Sequence, residues 1–148
     1  MVTRRALLGA GALTLLAGCG RQEEPAVDTG KVLAEQLRAT QLVAAAYAGV
    51  AGQGRVNAAK RVDRLEAALR DAGGTPGTAP SGPAGVEAAL AAEQAALRAH
   101  VAAVGQLGAA PYRVLLTGLI ADAAAGESAL LTTLKRPPAP SAFPGQPV

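Results

Sequence analysis

Downstream of residue 30 the apolar positions recur every three to four residues, and glycine and proline divide this pattern into four stretches. The first predicted helix covers about 31–51, with Leu33, Leu37, Thr40, Ala44 and Tyr47 on one face, and Gly52-Gln53-Gly54 stops it. A second covers about 55–72 with Ala58, Val62, Leu65, Leu69 and Ala72 as its stripe, closed by Gly73-Gly74, because glycine takes the left-handed cap without a Cβ clash. Thr75-Pro-Gly-Thr-Ala-Pro-Ser-Gly-Pro83 continues neither neighbour, since each proline lacks the N–H a helix needs, and it reads as a loop. The third predicted helix spans about 85–107 and aligns Val86, Leu90, Glu93, Leu97, His100, Val104 and Leu107. The fourth opens at Pro111, suited to a first helical turn, runs to about 136 with Leu116, Ile120, Ala123, Glu127, Leu130 and Leu134 aligned, and ends at Pro137-Pro138.

One apolar stripe per helix predicts an all-α domain over 31–136, an antiparallel four-helix bundle. Whether the long middle loop crosses the bundle or returns locally is open, because periodicity describes each helix by itself.

The N-terminus has a different pattern. Arg4 and Arg5 precede an apolar run from Ala6 to Gly18, and the only cysteine, Cys19, follows directly. A membrane-spanning helix needs about 20 apolar residues and a signal-peptide core roughly 7–15 behind a positive start, so the run predicts export. Leu16-Ala17-Gly18-Cys19 matches the bacterial lipobox, an apolar residue and two small ones before cysteine. That match implies removal of residues 1–18 and a covalent diacylglyceryl lipid on Cys19, whose two acyl chains give stable anchoring to the outer face of the cell membrane. Thr3-Arg4-Arg5-Ala6-Leu7-Leu8 also resembles a twin-arginine export signal, with Thr and Leu where Ser and Phe are common; the general export pathway accepts the same pair, and the choice stays open. Residues 19–30, polar and without apolar periodicity, are expected to form the acylated tether, and 137–148 a Pro-rich tail.

Composition sharpens this picture in two ways. Half the residues are apolar, yet aromatics amount to 2%, so alanine with leucine and valine must make the core; helix is favoured, and close backbone approach has to replace bulky interlocking. The formal charge of +3 falls to near zero once Arg4 and Arg5 are set aside, and no basic run or interleaved aromatics remain, which excludes a nucleic-acid surface.

Glu93 and Glu127 are the residues most open to a chemical role, because each falls inside an otherwise apolar stripe. A buried carboxylate needs a partner, a cation or water, or it takes up a proton. Two readings follow: a carboxylate metal site inside the bundle, or a leaky stripe edge at which neither residue is deeply buried and Arg98 or Arg113 pairs with one. His100, the only histidine, lies seven residues after Glu93, a rise of ~10.5 Å, too far to share one metal ion, and is expected to hydrogen-bond a neighbour. Ser81 and Ser128 have no acid pattern around them that would build a hydrolytic triad with it.

Four features resemble a ferritin-like family of exported and lipid-anchored bacterial proteins, most of them without an assigned function. They are Gln41 six residues before Tyr47, Leu65-Glu-Ala-Ala-Leu-Arg-Asp-Ala-Gly-Gly-Thr-Pro76, Leu90-Ala-Ala-Glu93-Gln, and the stretch from Gly126-Glu-Ser to Ser-Ala-Phe143. Metal-binding members of the wider superfamily place a Glu in helices one and three and a Glu-x-x-His pair in helices two and four. Against that pattern Glu93 is kept, Gln41 stands in the first-helix position, Ala59-Lys60-Arg61-Val62 fills the region of the second pair, and Ala124 and Glu127 take the places of the fourth. The resemblance therefore implies a bundle whose di-iron ligand set is lost: no catalytic residue, no bound cofactor, and only Glu93 and Glu127 as residual metal ligands.

The expected function is a membrane-anchored, non-catalytic binding or envelope-structural module. The alternative is a residual metal-binding protein or metalloenzyme using Glu93 and Glu127, and a third expectation is self-association through an exposed Ala/Leu face. The protein or small-molecule partner is not specified by the sequence.

Overall fold

The structure is a computed structural model and describes residues 27–137. The export signal at Arg4, Arg5 and Leu16 to Gly18, the lipidation site Cys19, and nearly all of the predicted tail lie outside these residues. Four helices make up the described chain: α1 (Thr29–Ala46), α2 (Gln53–Asp71), α3 (Val86–Val104) and α4 (Ala110–Thr133), with a single 3-10 turn, Tyr47–Gly49, after α1 and no strand among the described residues.

The helix ends follow local chemistry. α1 begins two residues before the predicted start because Asp28 caps it, its carboxylate accepting the Lys31 N–H at 3.1 Å. It also ends earlier than predicted, tightening into the 3-10 turn before Gly52 adopts a φ of 104° and reverses the chain. α2 closes in a Schellman motif: the Gly74 N–H donates to Leu69 O and the Gly73 N–H to Arg70 O, with Gly73 at φ 80°. The same pair of bonds closes α4, from Arg136 to Leu131 O and from Lys135 to Thr132 O. There, however, the left-handed position is held by Lys135 at φ 55°, so α4 stops three residues before the predicted end.

Hydrogen bonds across the helices fix the topology. The Gly85 N–H, at the head of α3, donates to Ala46 O at the tail of α1, while Gln36 of α1 pairs with His100 far along α3, so these two helices run antiparallel. α2 descends from that same end, and its 19 residues span ~28 Å. The segment between α2 and α3 must therefore climb the full length of the bundle. It does so along the outside of α1, where Thr75 and Thr78 share a groove with Lys31, Arg38 and Gln41, and where Gly82 faces Leu42. α4 returns antiparallel to α3, tied at one end by Arg113 donating to Leu107 O and at the other by Arg136 bonding Glu87. The order is up, down, down, up with one lengthwise crossover.

α1 packs on α2 and α3, α3 packs along α4, and α2 and α4 meet least. Alanine carries the close contacts, with Ala58, Ala89, Ala96 and Ala123 at most 1% exposed, and fully buried leucines such as Leu33, Leu65, Leu97, Leu116 and Leu119 supply the bulk. Each such leucine contributes roughly 1.5–3 kcal/mol. α4 has the length and hydropathy of a membrane span, yet in the bundle it lies along α3 with Leu116, Ala123 and Glu127 on its buried face.

The core is divided in two. Leu33, Leu37, Leu65, Leu69, Leu107 and Leu116 belong to one apolar cluster, and Val43, Ala46, Ala58, Leu90 and Leu130 to another. Between them Gln36, Thr40, Gln41, Arg61, Glu93, His100 and Glu127 are all buried.

Candidate functional site

This polar belt is the candidate site. Its centre is Arg61, on α2 between the core residues Ala58 and Leu65. The spacing of three then four places Arg61 on the same inward face, and its side chain is 3% exposed. Opposite it on α3, Glu93 is 0% exposed. The guanidinium meets the carboxylate in a fork: Nη1 donates to Oε2 at 2.8 Å and Nη2 to Oε1 at 2.6 Å. Burial alone disfavours the charge on Arg61, but the hydrogen bonds and attraction of Glu93 outweigh it and hold the Arg61 pKa above its ordinary value.

Two glycines make room for the pair. Any Cβ at Gly126 would collide with the Glu93 carboxylate, so only glycine lets that carboxylate lie against the α4 backbone. Gly54, at the head of α2, in the same way leaves space for the ring of Tyr47. The Tyr47 hydroxyl rests beside Glu93; burial first, and then the adjacent carboxylate, push the phenol up, so Tyr47 stays a neutral donor.

Glu127, 8% exposed, does not join Glu93. It accepts a hydrogen bond from Gln94 Nε2 at 2.9 Å. The expectation of half-solvated stripe edges paired with Arg98 or Arg113 is thus corrected on both counts: both carboxylates are buried, Glu93 is neutralised by Arg61, and Arg113 instead caps the turn before α4 through Leu107 O and Gly108 O. Arg61 is the functional residue that sequence reading missed. Arginine is normally exposed, so periodicity places Val62 rather than Arg61 in the α2 stripe, yet Val62 is only partly buried. The signal was present in its exact 3-4 spacing from Ala58 and Leu65, and in the need of Glu93 for a cation.

His100 behaves as expected of a buried hydrogen-bonding residue. Its Nδ1–H donates to Gln36 Oε1 at 2.8 Å, which leaves Nε2 as a bare lone pair without a protein partner. A proton there would place a buried charge near Arg61. Burial, reinforced by Arg61, lowers the His100 pKa to about 4.

Where α2 and α4 meet only sparsely, a cleft of about 280 Å³ lies beside the pair, lined by Tyr47, Asn57, Arg61, Glu93, Asp122 and Gly126. An exposed ion pair between Arg64 and Asp122 bridges the two helices at its rim. The donor set does not fit a metal centre: both oxygens of Glu93 are taken by a guanidinium, Glu127 is turned to an amide, and among the described residues no three of His, Cys, Asp and Glu gather around one point. No family model, curated protein or solved structure matches the chain.

Proposed function

We propose that this chain is an exported lipoprotein, anchored through Cys19 after loss of residues 1–18, whose ferritin-like bundle serves as a non-catalytic binding or envelope-structural module. The observation that carries the reading is the buried fork between Arg61 and Glu93. In a metal-binding bundle of this type, carboxylates converge on cations. Here the positive charge that Glu93 needs is covalently part of α2, so this carboxylate is neutralised without an ion. The ferritin-like assignment draws support from the single lengthwise crossover between the second and third helices, the connection that distinguishes such folds from simple up-down bundles. The anchor draws support from Leu16-Ala17-Gly18-Cys19.

Two measurements on the full chain purified from membranes test the two halves separately. Elemental analysis is expected to find no stoichiometric iron, manganese or zinc; one equivalent that disappears in Glu93→Gln overturns the non-catalytic reading. Mass spectrometry is expected to find a mature chain beginning at a diacylglyceryl-modified Cys19. A bare Cys19, or a chain that keeps residues 1–18, overturns the anchor.

A further inference from the structure

A groove of about 350 Å³ runs between α1 and the crossover segment that follows α2. One wall comes from α1, where Lys31, Ala34, Arg38 and Gln41 share a helical face, their spacing of three, four and three residues keeping them in line. Thr75 and Thr78 of the crossover form the other wall, and Glu35 also borders the space.

Gln41 sets this groove apart. It is 7% exposed, yet its side-chain amide has no hydrogen-bond partner among the described residues. The other two glutamines of the same belt are engaged: Gln36 Oε1 accepts from His100, and Gln94 Nε2 donates to Glu127. A buried amide ordinarily has its donors and acceptor paired, so the unspent capacity of Gln41 is available to an occupant of the groove it lines. The charges beside it are uncommitted as well. Ion pairs among the described residues use Arg61, Arg64, Arg70 and Arg136, and neither Lys31 nor Arg38 is in one. Two cations against the single carboxylate of Glu35 leave the groove with an excess of positive charge.

We propose that this groove binds a small hydroxylated organic anion, of the size and class of a sugar acid or sugar phosphate. The planar guanidinium of Arg38 offers paired N–H donors to the oxygens of a carboxylate or phosphate, and Lys31 adds a second charge on a flexible stem. The Gln41 amide and the hydroxyls of Thr75 and Thr78 each donate and accept, which matches the hydroxyl groups of such a ligand, and Glu35 accepts from one more. The volume stands at the small end of ligand sites and holds one such molecule. The site is separate from the Arg61–Glu93 pair and from Cys19, so the metal and anchor measurements stand whatever binds here.

Isothermal titration calorimetry of the full chain in detergent, with glucuronate, glucose 6-phosphate and uncharged glucose as probes, tests the assignment. At least one of the two anions is expected to bind saturably with a Kd of about 1 mM or tighter, and glucose is not. The stronger anion identifies the head group as carboxylate or phosphate. Gln41→Leu, which keeps the side-chain volume, and Arg38→Gln, at an exposed position, are each expected to weaken that binding about tenfold or more, while Arg98→Gln on α3, outside the groove, leaves it unchanged. Circular dichroism verifies that the helices persist, and Arg38→Gln decides the matter should Gln41→Leu unfold. Absence of saturable binding by both anions, equal affinity for glucose, unchanged affinity in the groove variants, or an equal loss in Arg98→Gln would each overturn the proposal.

Discussion

Removing one member of the Arg61–Glu93 pair leaves the other charged and without water. Glu93→Leu strands a guanidinium that is 3% exposed, and Arg61→Leu strands a carboxylate that is 0% exposed. Breaking a buried pair in this way costs about 3–5 kcal/mol, whereas replacing both partners with apolar groups is close to neutral. The double variant Arg61→Leu/Glu93→Leu still deprives the Tyr47 hydroxyl of its neighbour, which adds about 1 kcal/mol, so its expected loss is 1–2 kcal/mol in order of magnitude. A domain of this size has only about 5–15 kcal/mol in total, and 3–5 kcal/mol corresponds to ~10–20 °C in Tm. Urea and thermal unfolding of the wild type, both single variants and the double variant form a complete cycle, with an expected coupling above about 2 kcal/mol. Single variants that lose less than 1 kcal/mol, or a double variant that loses the sum of the two, would refute the assignment of Arg61 as the internal counter-ion.

Three further outcomes follow from the same geometry. The folded-state pKa of His100, about 4, lies below its unfolded value of about 6.5, so the unfolded chain binds the extra proton and stability declines as pH falls from 6.5 towards 4. Between pH 7.5 and pH 5 this amounts to about 2 kcal/mol, read as the difference in urea unfolding between wild type and His100→Gln; equal pH dependence in both rejects it. Gly126→Ala is expected to lose about 1–3 kcal/mol by thermal unfolding although alanine is the better helix former, because its Cβ strikes the Glu93 carboxylate; a gain in Tm rejects the close approach. The two Schellman caps should respond in opposite directions: Gly73→Ala loses about 1 kcal/mol, while Lys135→Gly gains a few tenths to about 1 kcal/mol by relieving the left-handed lysine, with chemical denaturation as the measurement.

The candidate site was half legible. Glu93, Glu127 and His100 stand out in the sequence because a polar residue in an apolar stripe breaks a local rule, and all three are buried in the belt. Their partners are not local. Arg61 and Glu93 are 32 residues apart, Gln36 and His100 are 64 apart, and nothing in either helix encodes the pairing. Gly126 carries no signal at all in one dimension; within a helix it looks like a weak propensity choice, and its reason is the carboxylate of another helix.

The sequence by itself determined the four helices, most of their inward positions and the breaks between them, because periodicity, glycine and proline act over a turn or two of backbone. It did not determine that the proline-rich middle segment climbs the length of α1, that α2 and α3 run parallel, or that an arginine supplies the charge Glu93 requires. Those are decided by which faces meet when four apolar stripes are buried together. Burial makes a lone charge costly, and only the packed bundle brings the opposite charge close enough to cancel it.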